Sequence, residues 1–412
     1  MISTSAHTAS SAARLLAGLI VLVAPLGALA EPRILPVTEG DLTDEQREIV
    51  GSAPIGMTNA VTTYLPPPVL TRNLLPFERF ISSESSLDPR HRELLALRTA
   101  WLARSDYLWA QRADEARRAG LTDEEQKRIA HGPDAPGWDP FEAGLLRAVD
   151  ELQVDSFVSD ETWSKLAARY TNEQLVDLVF TVGEFTMIAG TVNSLGVEIE
   201  PERNDRRPYG IPYRIAAEWT NERLIDKGHR VPPLEPDEWT PEIRALLDPS
   251  DSGRNVANVY KVYVHSLSMD LPRRRVSEHI RNETTLTDWQ REVLLLRIGV
   301  LCRSEYEWAV HERIARNVGL GDADLERIIV GPDHPNDDPA ELALLRATDE
   351  LYRDHVVSDE TRALLTASVD TPQLLDILTT IGGYRMFSMA INTFGVQLDA
   401  NMMETRFPPQ LR

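Results

Sequence analysis

The sequence predicts an all-α protein built from two tandem helical domains. Three observations support this fold class. Apolar residues recur with the 3.6-residue period of a helix, no stretch shows the alternation of a strand, and a long set of residues returns at a constant offset. With 412 residues, of which 42% are hydrophobic, the chain is long enough for two ordinary domains with hydrophobic cores.

Residues 1–30 have the pattern of an export signal. A polar start containing Arg14 precedes an apolar run from Leu15 to Leu26, and Ala28-Leu29-Ala30 precedes Glu31. We expect cleavage after Ala30 and a periplasmic or secreted protein that has no membrane attachment once the signal is removed. The alternative is an uncleaved anchor, although the apolar run is shorter than the roughly 20 residues that a spanning helix needs.

The internal repeat has an offset of 199 residues, as from Trp109 to Trp308. It predicts a first domain at residues 31–200, a proline-rich linker at 201–236 and a second domain at 237–412. Even the lead-in segments 33–36 and 230–233 correspond, at a slightly shorter offset. The residues that recur include the pairs Glu93 and Glu292, Arg98 and Arg297, Ser105 and Ser304, Tyr107 and Tyr306, Gly120 and Gly319, and Asn193 and Asn392.

Two long apolar runs, 175–188 and 374–391, predict one central helix in each domain. Each helix would be buried by its neighbours or by another copy of the domain, because most of its faces are apolar. On these helices, Phe185 and Tyr384 are interpreted as core residues, with pocket lining as the alternative. Arg147 with Asp150, and Arg346 with Asp349, lie one helical turn apart and are interpreted as structural pairs. The linker contains Tyr209, Tyr213 and Trp219, which indicate that it packs on the surface.

A helical hairpin is predicted in the second repeat, with one helix over 289–301 and the next from Ser304 towards residue 318. If the two helices run antiparallel, Glu292 and His311 lie at similar distances from the turn and face each other. Ser304 and Glu307 have the spacing of a capping box at the start of the second helix. Glu307, one turn before His311, could instead face the pocket, so two roles for this glutamate stay open.

An ordered series of motifs runs through both repeats: Arg-Glu-Leu-Leu-x-Leu-Arg (with Val293 at the first leucine in the second repeat), Tyr-x-Trp, Leu-Leu-Arg-Ala-x-Asp-Glu-Leu and Asn-x-x-Gly-Val. The series resembles the carboxymuconolactone decarboxylase family, which includes alkylhydroperoxidase D. The resemblance implies an all-helical domain that assembles through its helices, so that two fused copies mimic a dimer. It also implies a site made of a glutamate on one helix and a Cys-x-x-Cys-x-x-x-His element on the next.

This chain departs from that element in both repeats. The second repeat has Ser304 and Glu307 at the two cysteine positions but keeps the histidine, His311. Dithiol peroxidase chemistry needs a thiolate and a resolving thiol, so a peroxidase is excluded. The single cysteine, Cys302, is interpreted as a small buried residue. The first repeat has Ser105, Leu108 and Arg112 at the corresponding positions, and its site is expected to be degenerate.

The remaining chemistry is acid/base catalysis in the second repeat. His311 is the candidate general base or acid, Glu292 its orienting partner or second proton carrier, and Glu307 a third candidate. Candidate substrate contacts are Tyr306, Trp308, Ser304 and Arg112. Tyr306 and Trp308 recur where the histidine is missing, which favours packing, and Arg112 could instead pair with Glu93.

These residues predict a cofactor-independent lyase, a decarboxylase or related proton-transfer enzyme, acting on a small organic acid, lactone or aromatic compound. The absence of metal and organic cofactor is implied by the family resemblance. The alternative is a non-catalytic binding or assembly module of the same fold. A net charge of -21 repels phosphate backbones and anionic lipid, so nucleic acid is not expected as a partner. Homo-oligomers formed through helical faces stay open.

Overall fold

A computed structural model describes residues 32–53, 57–206, 228–250, 252–253, 255–403, 405 and 408. All regular structure in these residues is helical and none of them lies in a β-strand, which confirms the predicted fold class. Both repeats belong to one compact unit that begins at Pro32. The predicted export signal, and Tyr209, Tyr213 and Trp219 of the predicted linker, lie outside the described residues.

The helices of the first repeat form a consecutive series from α1 to α9. They are α1 (Asp44–Ser52), α2 (Asn59–Tyr64), α3 (Pro68–Arg79), α4 (Pro89–Leu102), α5 (Asp106–Arg118), α6 (Asp123–His131), α7 (Pro140–Asp155), α8 (Asp160–Ala167) and α9 (Asn172–Leu195). Short helical turns occur at Glu39–Asp41, Phe80–Glu84 and Pro201–Arg206.

The helices of the second repeat repeat this series. They are α10 (Pro241–Leu247), α11 (Asn258–Tyr263), α12 (Leu267–Glu278), α13 (Asp288–Leu301), α14 (Glu305–Asn317), α15 (Asp322–Val330), α16 (Pro339–Asp354), α17 (Asp359–Thr366) and α18 (Thr371–Phe394). Short turns occur at Val264–Ser266, His279–Glu283 and Ala400–Met402. The bounds of α2 to α9 recur in α11 to α18 after the 199-residue offset. Each of these helices therefore begins and ends at corresponding residues in the two repeats.

Local sequence fixes the ends of the two long helices. At the start of α9, the Thr171 hydroxyl accepts from the Gln174 N–H, and the Gln174 side chain accepts from the Thr171 N–H. Asp370 and Gln373 form the same capping box at α18. The helices end at Gly196 and Gly395, each with a φ of 64°. Glycine adopts this left-handed conformation at little cost because it has no Cβ.

The two long helices pack on each other across the repeats. Gly183 of α9 lies against Met386 of α18, and Gly382 of α18 lies against Met187 of α9; a Cβ on either glycine would clash with the methionine. By length and composition α9 could cross a membrane, but 94% of its apolar window is buried inside the protein. The prediction that each long helix is buried is confirmed, and the other repeat provides much of the cover.

The lead-in segments also occupy corresponding places. Nη1 of Arg33 donates to the carbonyl oxygens of Ser194 and Val357, at 2.6 and 2.7 Å. Nη1 of Arg230 donates to the counterparts of these two oxygens. They are the carbonyl oxygens of Thr393, at 3.4 Å, and Val158, at 2.6 Å. Each arginine therefore ties the end of its own long helix to the loop before α8 or α17 of the other repeat, which confirms the predicted correspondence.

Buried ion pairs connect α4 to α7 and α13 to α16. Nε and Nη2 of Arg98 donate to the two carboxylate oxygens of Asp150, at 2.6 and 2.9 Å. Arg297 and Asp349 form the same pair in the second repeat. The predicted pairing of Arg147 with Asp150 was therefore wrong, as was that of Arg346 with Asp349. The buried guanidinium of the neighbouring helix donates two parallel N–H groups to the carboxylate. A surface arginine one turn away on the same helix does not offer this two-bond contact. The displaced arginines pair with Asp134 and Glu360.

Candidate active site

The α13–α14 hairpin brings the predicted acid and histidine together. The chain reverses at Arg303, whose φ is 54°, and the two helices run back alongside each other. Nδ1 of His311 lies 2.8 Å from Oε2 of Glu292. The predicted hairpin and the predicted contact are both confirmed. Cys302, at the end of α13, is fully buried, and burial raises the pKa of its thiol to about 11, as expected for a packing residue.

Glu292 fixes the orientation of the imidazole. Its side chain is 1% exposed, and its Oε1 accepts from Nε of Arg291 at 3.2 Å. Because Oε2 of an ionised carboxylate only accepts, Nδ1 of His311 is the donor in their contact. The other ring nitrogen, Nε2, then carries the lone pair and is available for proton transfer.

Nε2 of His311 faces a second carboxyl group, that of Glu307, at 3.5 Å. The pKa of Glu307 is raised to about 7, chiefly by burial; the charge of His311 lowers the pKa and the charge of Glu292 raises it. A glutamate therefore titrates near neutral pH beside the free nitrogen of the histidine. Groups with this property are suited to general acid/base catalysis.

The predicted capping box at the start of α14 was wrong. The Ser304 hydroxyl is buried and has no hydrogen-bond partner in the described part of the chain. The Ser304 N–H, which Glu307 was expected to accept from, donates instead to the Gly299 carbonyl at 2.9 Å. Glu307 packs beside Gly299, where an added Cβ would lie 3.7 Å from the Cβ of Glu307. The close approach of α14 to α13 therefore turns Glu307 towards His311.

Tyr384 of α18 completes the surroundings of the histidine. Its ring packs edge-on against the His311 ring, with centroids 5.1 Å apart and an angle of 81° between the planes. The phenol is buried, and burial raises its pKa well above the ordinary value. The sequence interpretation of Tyr384 as core was incomplete. The signal that distinguished it was its counterpart in the first repeat, Phe185, which lacks the hydroxyl group.

Other predicted contacts serve the fold in both repeats. The Tyr306 hydroxyl donates to Oδ2 of Asp399 at 2.6 Å, and Tyr107 makes the corresponding bond to Glu200 at 3.1 Å. Trp308 is 2% exposed, and Ser304 is fully buried. The packing alternative given for Tyr306 and Trp308 agrees with these positions.

Arg112 takes the place of the histidine in the first repeat. Its Nε donates to Oε2 of Glu93 at 3.0 Å, a second N–H bonds Oε1, and Nη1 donates to the Ser82 hydroxyl at 3.2 Å. Its guanidinium also lies 5.2 Å from the centre of the Phe185 ring. The Glu93–Arg112 pair therefore corresponds to the Glu292–His311 pair, with a fixed cation where the second repeat has a titratable group.

A cavity of about 320 Å³ lies in the first repeat and not beside His311. Neither Glu292, Glu307 nor His311 lines it. Its walls are formed mainly by α2, α3, α5 and α9, and the lining includes Tyr64, Leu74, Leu75, Glu78, Arg112, Glu184, Phe185, Met187 and Ile188. The first repeat was expected to carry only a degenerate site, yet it holds this cavity.

Side-chain size explains where the cavity lies. Val61, Leu74 and Ile188 line it, and their counterparts in the second repeat are the larger residues Tyr260, Arg273 and Phe387. Arg273 is 2% exposed, and its guanidinium lies 4.9 Å from the ring centre of Tyr263 and 5.6 Å from that of Phe387. These side chains occupy the region that is open in the first repeat. The differences in side-chain size can be read from a comparison of the two copies. Only the structure shows that the larger residues lie in the same region.

The model of the carboxymuconolactone decarboxylase family matches the chain twice, over residues 68–151 and 273–350. One match falls in each repeat, so each repeat is similar to this family. In each repeat the decarboxylase-family match includes the glutamate of the hairpin and the residue that faces it, so the resemblance read from the motifs is confirmed. No curated protein is significantly similar to the chain. In the part of the chain that the structure describes, no group of three or more His, Cys, Asp or Glu side chains is arranged to hold a metal ion.

Proposed function

We propose that the second repeat is a cofactor-independent lyase, a decarboxylase or related proton-transfer enzyme, acting outside the cytoplasm on a small organic acid, lactone or aromatic compound. The arrangement of Glu292, His311 and Glu307 is the observation that supports this proposal. Each ring nitrogen of the histidine faces one buried carboxyl group, at 2.8 and 3.5 Å. A histidine at the protein surface would not need two buried carboxyl groups to orient its ring.

The three groups have separate roles in the proposed reaction. Glu292 holds Nδ1, so that Nε2 points towards the reacting group. In a decarboxylation, the electron pair of the broken carbon–carbon bond remains on the substrate carbon as carbon dioxide leaves. Glu307, with its pKa of about 7, first passes its proton to Nε2, and the substrate carbon takes that proton from Nε2. The reaction is balanced when Glu307 takes a proton from water.

Burial of the site restricts the substrates. The side chains of His311 and Glu307 are 7% and 9% exposed, so little of either group reaches solvent. A low-dielectric setting strengthens the interaction between Nε2 and a charge that develops on the substrate. Small, largely apolar acids and lactones fit this setting better than polymers or phosphorylated compounds.

The test is turnover by the mature protein with a panel of small organic acids, lactones and aromatic acids. For any compound that is converted, His311→Ala is expected to lower kcat by about 10²- to 10⁴-fold. His334→Ala is the matched control, because His334 is a half-buried histidine whose side chain bonds only the Pro335 carbonyl in the described structure. Activity that survives His311→Ala unchanged would refute the assignment of the site.

A second candidate function is a binding module without chemistry, favoured by the cavity of the first repeat. That repeat has no histidine at the site, and Arg112 is held by Glu93. Calorimetry that detects ligand binding, with no conversion of the same compounds in long incubations, would favour this function. Conversion that depends on His311 would exclude it as the sole function of the chain.

A further inference from the structure

Two acids of the first-repeat cavity each have a buried carboxyl oxygen with no hydrogen-bond partner in the described structure. Glu184 of α9 lines the cavity, is 1% exposed, and has an Oε2 atom with no hydrogen-bond partner among the described residues. Glu78 of α3 lines the same cavity. Its Oε1 accepts from the Ser82 hydroxyl at 2.7 Å, while its buried Oε2 also has no partner in the described structure. Burial raises the pKa of Glu184 well above its ordinary value, and the charge of Glu78 adds to the effect.

The fold does not require these acids. Their counterparts in the second repeat are Gly383 and Ser277, on helices with the same bounds. A buried carboxyl group without a hydrogen-bond partner costs stability, so its presence needs a reason other than packing. The acids are therefore a feature of this cavity and not of the family fold.

Neither of the two arginines that line the cavity, Arg112 and Arg203, makes a hydrogen bond to these acids in the described structure. Arg112 makes two hydrogen bonds to Glu93 and a third to the Ser82 hydroxyl, which binds Glu78 in turn. Its charge is balanced by Glu93, and nothing in the described structure bonds Glu184. The other titratable groups that line the cavity are Tyr64, Tyr107, Glu115 and Arg203.

We propose that this cavity binds a small organic cation, a primary amine on an aromatic or aliphatic body, with its ammonium group between Glu184 and Glu78. An ammonium has three donors and no acceptor, which matches carboxyl groups with unused acceptor positions. Leu74, Phe185 and Met187 offer apolar and aromatic surface to the body of the ligand. A volume of about 320 Å³ suits a molecule of one or two rings.

The overall charge of the protein supports a cationic ligand. A net charge of -21 attracts cations and repels anions over the whole surface. The site uses none of the residues of the proposed lyase, so the two proposals stand or fall separately.

Calorimetry on the full mature chain tests the proposal with three probes of similar shape: 2-phenylethylamine, 2-phenylethanol and 3-phenylpropanoate. The amine is expected to bind at one site per chain, at least about tenfold more tightly than the alcohol, and the carboxylate more weakly than both. Glu184→Gln and Glu78→Gln are each expected to weaken amine binding by at least about tenfold. Glu124→Gln, which removes an exposed carboxylate, controls for the general loss of negative charge and should leave the affinity unchanged.

Three results would overturn the proposal: no binding of the amine at millimolar concentration, equal affinities for amine and alcohol, or an affinity that neither glutamine variant changes. Circular dichroism and melting curves show whether each variant is folded. Should either glutamine variant not fold, Leu74→Phe fills the cavity without touching an acid and should weaken the amine by at least about tenfold. Unchanged binding to a folded Leu74→Phe protein would place the amine elsewhere and contradict the proposal.

Discussion

Nε2 of His311 lies 3.5 Å from Oε2 of Glu307, one helical turn earlier on α14. The contact places a titratable carboxyl group against the nitrogen that Glu292 leaves free. Burial raises the pKa of that carboxyl to about 7, a value within the physiological pH range.

The first prediction concerns stability and pH at Glu307. The folded pKa of about 7 exceeds the ordinary value of 4.5, so the protonated form stabilises the folded state. This contribution is fully present below about pH 4.5 and is lost as the pH rises through 7. Relative to Glu307→Gln, the free energy of unfolding of the wild type should fall by about 3 kcal/mol between pH 4.5 and pH 8. Urea unfolding of both proteins at the two pH values measures this, and a pH-independent difference would contradict it.

The second prediction uses the two serines that precede α5 and α14. The Ser105 hydroxyl accepts from the Leu108 N–H at 3.3 Å, whereas the Ser304 hydroxyl caps nothing. Ser105→Ala should cost about 1 kcal/mol of unfolding free energy, as the loss of a helix cap does. Ser304→Ala should be neutral or stabilising, since it removes a buried hydroxyl that has no partner in the described structure. Chemical unfolding of both variants compares them, and equal costs would show that Ser304 also caps.

The third prediction concerns the buried pair Arg98 and Asp150. Arg98→Ala leaves the carboxylate of Asp150 buried beside no guanidinium, and should cost about 3–5 kcal/mol. Arg147→Ala is the matched control. Its partner Asp134 is 73% exposed, and loss of a solvent-exposed pair should cost less than about 1 kcal/mol. Thermal or urea unfolding gives both values, and similar costs would be inconsistent with the buried pairing.

The fourth prediction concerns the contact between the long helices. Gly183→Ala places a Cβ against the side chain of Met386 and within 3.1 Å of its Cα, and should cost about 1–3 kcal/mol through overpacking. Gly51→Ala is the control, because nothing lies within 4 Å of a Cβ there. In helix α1 that change should stabilise by up to about 1 kcal/mol. Melting temperatures that shift in the same direction for both variants would argue against the tight crossing.

Much of this fold could be predicted because it depends on local signals. Helix period, capping residues and the offset between copies are all read from neighbouring residues, and the helix bounds recur after 199 residues. The contact of Glu292 with His311 belongs to the same class. Two helices of known length and one turn between them are enough to place both side chains.

What failed was the choice between competing partners. Spacing alone gave Glu307 a capping role, but the Ser304 N–H is already bonded to Gly299 and the close helix turns Glu307 inwards. Spacing likewise paired Asp150 with Arg147, although Arg98 arrives from another helix. The cavity could not be foreseen for a similar reason, since its volume depends on side chains from four helices at once.

The covalent joining of the two copies has a consequence for how they can differ. In a symmetric dimer of identical chains, any substitution is made in both subunits. Here Glu184 occupies a place on α9 whose counterpart on α18 is Gly383, where an added Cβ would lie 2.9 Å from Ile280. An acid that fits in one half would therefore meet Ile280 in the other, and joining the two copies in one chain lets the halves differ at this place.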